Sequence, residues 1–144
     1  MIKTFRGNLA HQEVQTIRLS TVNGLTGYRI RKFEVIGETP GTTSQIATVF
    51  LNTVDHGAPA AATINFDSPT LLAVAQYEST TSASYNPQPI IIFDHVKFNQ
   101  DIYISNFISS GTGAWVNYYL ELEQVKLSVD EAAVATLKNM RGRE

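Results

Sequence analysis

Three histidines, His11, His56 and His95, are the side chains best suited to proton transfer near neutral pH, and two of them follow aspartates, as Asp55-His56 and Asp94-His95. Adjacent residues of a strand point to opposite faces, so neither pair can chelate one ion through a simple strand. The chain has no H-x-H, H-E-x-x-H or EF-hand spacing, and no metal site is expected. No G-x-S-x-G elbow singles out a serine as a nucleophile. Ser110-Gly111-Thr112-Gly113 has the glycines of a phosphate cradle but lacks the P-loop lysine and a following helix, and it reads as a hairpin turn. Glu121 and Glu123 share one parity of a strand-like run. Two carboxylates on one face can raise one another's pKa, as general-acid chemistry requires, but a solvated outer face explains the pair more simply. With no cysteine in the chain, thiolate catalysis, thiolate zinc sites and disulfides are excluded. No catalytic residue and no cofactor are therefore assigned, and the protein is expected not to be an enzyme. Trp115, Tyr118 and Tyr119 remain as an alternative ligand platform, since flat apolar rings beside a Gly-rich turn suit sugar stacking.

The chain that must position these residues is 144 residues long, 43% hydrophobic and only 17% charged. Soluble domains average about 25% charged residues. Ser, Thr, Asn and Gln fill the gap, so the surface is neutral and polar. The charges are also segregated. Residues 1–32 hold six bases (Lys3, Arg6, Arg18, Arg29, Arg31 and Lys32) against Glu13 alone, whereas residues 33–96 hold six acids and no base. A net charge of −2 does not make the basic footprint of a nucleic-acid binder, and no direct nucleic-acid binding is expected. No apolar run approaches the ~18 residues of a membrane span, and the first residues lack a signal-peptide core. The reading is a soluble protein made in a cytoplasm, with no membrane association.

Turn signals recur about every ten residues, and the runs between them are rich in Val, Ile, Thr, Phe and Tyr, the composition of strands. Strands are expected near 2–6, 14–20, 27–36, 45–52, 62–66, 70–77, 90–96, 101–107 and 115–126. This spacing predicts an all-β antiparallel sandwich or barrel in a single domain, 1–144. In the last strand Val116, Tyr118, Leu120 and Leu122 alternate with Asn117, Tyr119, Glu121 and Glu123, giving one core face and one outer face. Between 27 and 36 the apolar parity switches from Tyr28 and Ile30 to Phe33 and Val35, which predicts a bulge near Arg31-Lys32. The run Ile90-Ile91-Ile92-Phe93 is apolar on both faces, as expected of a central strand or one covered by another chain. Ser128 and Glu131 have capping-box spacing and predict a helix over roughly 129–140. Its apolar stripe, Val129, Ala133, Leu137 and Met140, is expected to lie along the sandwich or against a neighbouring subunit.

The scarcity of charge, the doubly apolar run and the small-residue loops 37–45, 56–62 and 79–89 all favour a protein that works in contact with others. The segment from Asp101-Ile102-Tyr103-Ile104 through Asn117-Tyr118-Tyr119-Leu120-Glu121-Leu122-Glu123 to the Ala-rich stretch Glu131–Lys138 resembles the end of small virion structural proteins of marine tailed bacteriophages. That resemblance implies a jelly-roll-like sandwich and a capsid decoration or cement protein on the capsid surface of the virion. Its implied partners are the major capsid protein and copies of itself, as a homotrimer, after synthesis in the host cytoplasm. The expected interface is the basic segment around Lys3, Phe5, Arg6, Arg29 and Arg31, facing acidic surface on a capsomer or a neighbour. The alternative is a carbohydrate- or receptor-binding module of a phage tail or fibre, using Trp115, Tyr118 and Tyr119.

Overall fold

In a computed structural model, residues 1–81 and 85–142 are described, for 85–89 and 142 without their side chains. Among them the β-branched and aromatic runs form β1 (Ile2–Leu9), β2 (Val14–Ile17), β3 (Thr26–Gly37), β4 (Gln45–Asn52), β5 (Leu71–Ser79), β6 (Tyr85–Ile92), β7 (Ile102–Ser110) and β8 (Val116–Lys126), followed by helix α1 (Val129–Gly142). All pairings are antiparallel. One sheet has the order β1-β8-β3 and the other β2-β7-β4-β5-β6. The chain crosses between the sheets from β1 to β2, β2 to β3, β3 to β4 and β7 to β8, while β4 to β7 stay in one sheet, and β6 bonds to β5 while also lying against β3. The expected all-β sandwich with a C-terminal helix is the observed architecture.

Alternation builds the core. Val116, Tyr118, Leu120 and Leu122 of β8 face Ala47, Val49 and Leu51 of β4, Ala73, Ala75 and Tyr77 of β5, and Ile102, Ile104 and Ile108 of β7 in one cluster that joins the sheets. The register of β3 on β8 shifts between Ile30 and Lys32, so Arg31 is the extra residue of the expected bulge. Ile30 and Phe33 both face inward as a result. The capping box of α1 also forms: Glu131 N–H donates to Ser128 Oγ at 3.2 Å, and Ser128 N–H to Glu131 Oε1 at 3.4 Å.

Four expectations change. Residues 62–66 are not a strand. Asn65 accepts from Asp67 N–H through its side chain and from Ser68 N–H through its carbonyl, so turn chemistry overrides the alternation of Ile64 and Phe66. The loop expected over 79–89 contains the first half of β6, which starts at Tyr85, while its residues 82–84, like Arg143, lie outside the described residues. The run 90–93 is neither central nor wholly in a strand: β6 ends at Ile92 and borders its sheet, with Ile90 and Ile92 packed on the core and Ile91 40% exposed. Finally, the Gly111 turn is not a hairpin, because it carries the chain from β7 in one sheet to β8 in the other. Gly111 has a φ of 74°, and a side chain there would strike the carbonyl oxygen of Ser44.

Leu120, fully buried at the middle of β8, tests the inter-sheet core. Leu120→Ala should lower the unfolding free energy by about 2–5 kcal/mol in urea denaturation. A loss below about 1 kcal/mol would mean that the sheets do not pack as described.

Candidate functional site

The histidines go to three separate places. His11 Nδ1 accepts from Ile108 N–H at 3.0 Å, and its ring meets Phe107 edge-on. His56 Nε2 lies 2.9 Å from Thr70 Oγ1, which also contacts Ser68 Oγ at 3.1 Å. His95 lines a groove beside α1. Among the described residues no three His, Asp or Glu side chains come close enough to hold a metal ion. The Asp55 carboxylate caps a local turn by accepting from Gly57 N–H at 2.8 Å, so it does not orient the His56 ring.

Glu121 and Glu123 do share the outer face of the β1-β8-β3 sheet, but in environments unlike an acid pair. Glu123 Oε2 accepts from Arg29 Nε at 2.8 Å and lies 2.7 Å from Arg29 Nη2, and it also accepts from Arg31 Nη1 at 3.2 Å. These bonds, with Arg29 first, hold the Glu123 carboxyl below the ordinary carboxylate range. General-acid chemistry requires the opposite shift. Glu121 accepts from Tyr119 Oη at 2.7 Å, and that bond raises the Tyr119 phenol. The bulge creates this arrangement, since it sets Arg31 on the same face as Arg29 and Lys32.

The expected interface residues divide accordingly. Arg29 and Arg31 are already engaged by Glu123 of their own chain, and Lys32 by Glu34 at 3.3 Å. Lys3 and Arg6 on β1 have no carboxylate partner among the described residues, although Lys3 Nζ sits 5.7 Å from the centre of the Tyr28 ring. Phe5 is half-buried against the core edge. Folding thus brings Lys3, Phe5 and Arg6 together on one border strand. The three rings of the ligand platform do not come together. Tyr118 faces inward against Gly7 and donates to Gln15 Oε1 at 3.1 Å, whereas Tyr119 points to the opposite face. Trp115, 44% exposed, stands alone at the turn.

The small-residue loop at 56–62 does not wait flat for a partner; it belongs to an arm, residues 53–70, laid over the chain's own β2-β7-β4-β5-β6 sheet. There it covers Phe50, Leu71 and Val74, which pack with Phe93 and Phe107. Phe66 meets Phe93 edge-on at 5.4 Å, Gln12 Nε2 donates to the Pro59 carbonyl at 3.0 Å, and a cleft of about 480 Å³ remains beneath.

Of the two seats expected for the apolar stripe of α1, the structure excludes the one along the sandwich. The buried side of the helix is Ala132 and Asn139, with Ala135 and Thr136 half-buried. Asn99, itself buried, donates to the carbonyls of Gly24 and Ala132 and to Thr136 Oγ1, and Asn139 Nδ2 donates to the Thr53 carbonyl at 3.0 Å. The apolar stripe Val129, Leu137 and Met140, together with Val134, is turned outward, each more than half exposed. It does not lie on the sandwich. The helix stands as a ridge between two grooves. One, of about 430 Å³, runs past His95, Val96, Leu127 and Lys138; the other, of about 420 Å³, runs past Leu25 and Ala133. The signal in the sequence was the asparagine at 139, a polar residue in the middle of an amphipathic pattern and in need of a buried partner. No helix among the described residues is long and apolar enough to cross a membrane.

Fold and surfaces together define an antiparallel β-sandwich with an apolar helical ridge and a border strand whose bases have no carboxylate partner among the described residues. No family model and no curated protein matches this chain.

The depressed Glu123 carboxyl has a pH consequence. Its contribution to stability is present above the unfolded-state value of about 4.3 and is lost as pH falls through the lower folded value. Glu123→Gln should therefore flatten the part of the acid stability profile just below pH ~4.3, measured by thermal melts over a pH series. A variant whose profile stays parallel to the parent's there would contradict the Arg29–Glu123–Arg31 cluster.

Proposed function

We propose that this protein is a non-enzymatic structural subunit of a virion, a decoration or cement protein that binds a capsid shell in many copies and braces it. The observation that supports this reading best is the orientation of α1. The helix is held by amide hydrogen bonds and directs Val129, Val134, Leu137 and Met140 to solvent between two grooves, an arrangement suited to burial against another protein. The jelly roll is a fold used by viral capsid domains and by lectins, so the fold alone does not choose between them. The separation of Tyr118 from Tyr119 and Trp115 removes support from the lectin-like reading, and the dispersed histidines and the depressed Glu123 give no support to a hydrolase. Many weak contacts of this kind gain strength by multivalency on a lattice.

The test is to quantify the protein in purified particles by mass spectrometry, and to add it back to particles that lack it. Wild-type protein should co-sediment in a fixed ratio to the major capsid protein. Leu137→Glu and Val134→Glu should each cut the bound amount about ten-fold or more while changing stability by no more than about 0.5 kcal/mol, because both side chains are exposed in the free protein. Absence of the protein from particles, or undiminished binding of both variants, would refute the reading.

A further inference from the structure

A sheet border offers unpaired backbone N–H and C=O groups, and proteins usually blunt it with proline, a bulge, short length or charged side chains. Three of the four borders here are blunted. β6 carries Pro87 and Pro89, which have no N–H to offer. β3 is broken by the bulge at Arg31, and Tyr28 exchanges both of its backbone bonds with Phe98. β2 has only four residues. β1 is different: eight residues without proline and without a register shift, protected only by the charges of Lys3 and Arg6.

Parity shows which groups are free. Gln124 N–H donates to the Met1 carbonyl, so the residues of β1 that bond to β8 are the odd ones, including Lys3, Phe5 and Gly7. The even residues, Ile2, Thr4, Arg6 and Asn8, direct their backbone outward. At Asn8 the carbonyl is already taken by Gln15 Nε2 at 2.9 Å, where β1 closes against β2. Ile2, Thr4 and Arg6 have no such partner among the described residues.

We propose that a second copy of this chain pairs antiparallel with β1 across a two-fold axis through Thr4, joining two three-stranded sheets into one continuous sheet. Self-complementarity selects this register. Centring on Lys3 or on Arg6 sets like charges directly opposite one another, which is destabilising. Centring on Phe5 engages Asn8, whose carbonyl is occupied. Centring on Thr4 exchanges backbone bonds between Ile2 and Arg6, Thr4 and Thr4, and Arg6 and Ile2. It also sets Lys3 of each copy opposite Phe5 of the other, a cation beside an aromatic ring. The two unneutralised bases of β1 thus fix the register. An isologous contact of this kind closes at two chains. The inference rests on the β1 border alone and is independent of the α1 surface.

Light scattering after size exclusion, over a concentration series up to the millimolar range, tests it with two variants at the axis. The wild type should reach the mass of two chains. Thr4→Lys and Thr4→Glu each place like charges opposite one another and should raise the dissociation constant about ten-fold or more, and an equimolar mixture of the two should restore the dimer. Thr4 is exposed but stands opposite Glu121 of its own chain, so Thr4→Lys should melt at or slightly above the wild type and Thr4→Glu slightly below it, with both still folded. In the wild type, amide hydrogen exchange at Ile2, Thr4 and Arg6 should slow with rising concentration, while Lys3 and Phe5 stay constant. Leu137→Glu should dimerise normally, which separates this result from the test of capsid binding. A wild type that remains a single chain, a mass of three, variants that associate as the wild type does, or a mixture no better than either variant alone would overturn the proposal.

Discussion

Strand β8 is the one member of its sheet to which both other strands hydrogen-bond, and its strict alternation sets the rest of the molecule. Val116, Tyr118, Leu120 and Leu122 must all enter the core, which fixes the distance and register of the opposite sheet. A one-residue slip would bury Glu121 and Glu123 and expose the apolar set. The inward Tyr118 ring in turn demands room on β1. Gly7 supplies it, since a Cβ at that position would come within 2.7 Å of the ring. The same alternation gathers Asn117, Tyr119, Glu121 and Glu123 outside, where two carboxylates need cations. The bulge in β3 meets that need at Glu123 by setting Arg29 and Arg31 on one face, while Glu121 accepts from Tyr119 instead.

The shortage of charge acquires a structural meaning from the second sheet. Its outer side carries Phe50, Val74 and Phe107, apolar residues that a solvated sheet face would replace with charged ones. The arm 53–70 arches over this side, with Phe66 against Phe93 and a cleft left between its small side chains and Phe50 and Leu71. Part of the neutral composition therefore serves contacts within the chain. Ile36, Ile64, Phe66, Ile91 and Trp115 stay exposed, and two further places remain uncovered, the outward side of α1 and the border strand β1.

Those two places differ in physical kind. The helix offers apolar area without direction, so it can bury against any complementary surface. The β1 border offers hydrogen-bonding groups at fixed spacing, and its bases admit one self-pairing register. The first suits attachment and the second suits orientation between copies. A chain that carries both has the means to join an assembly at two independent contacts.

Period-two patterning and turn chemistry were enough to read the sandwich, the Arg31 bulge and the capping box at Ser128, because each rests on near neighbours in the chain. They failed at 62–66, where Asn65 closes a turn through its own neighbours, and on the helix they left open whether the stripe lies on the sandwich or against a neighbour. For chemistry the sequence offered no cysteine, no catalytic motif and no histidines at metal-ligand spacing. What the sequence by itself determined is which strands have two faces and which residues occupy each. Only the tertiary structure decided that Arg29 and Arg31 are neutralised by Glu123, that the arm covers its own sheet, and that α1 turns its apolar side outward. The reason is that these outcomes depend on partners far along the chain, from 33 residues for Asn99 and Ala132 to 94 for Glu123 and Arg29, and no local period reports them.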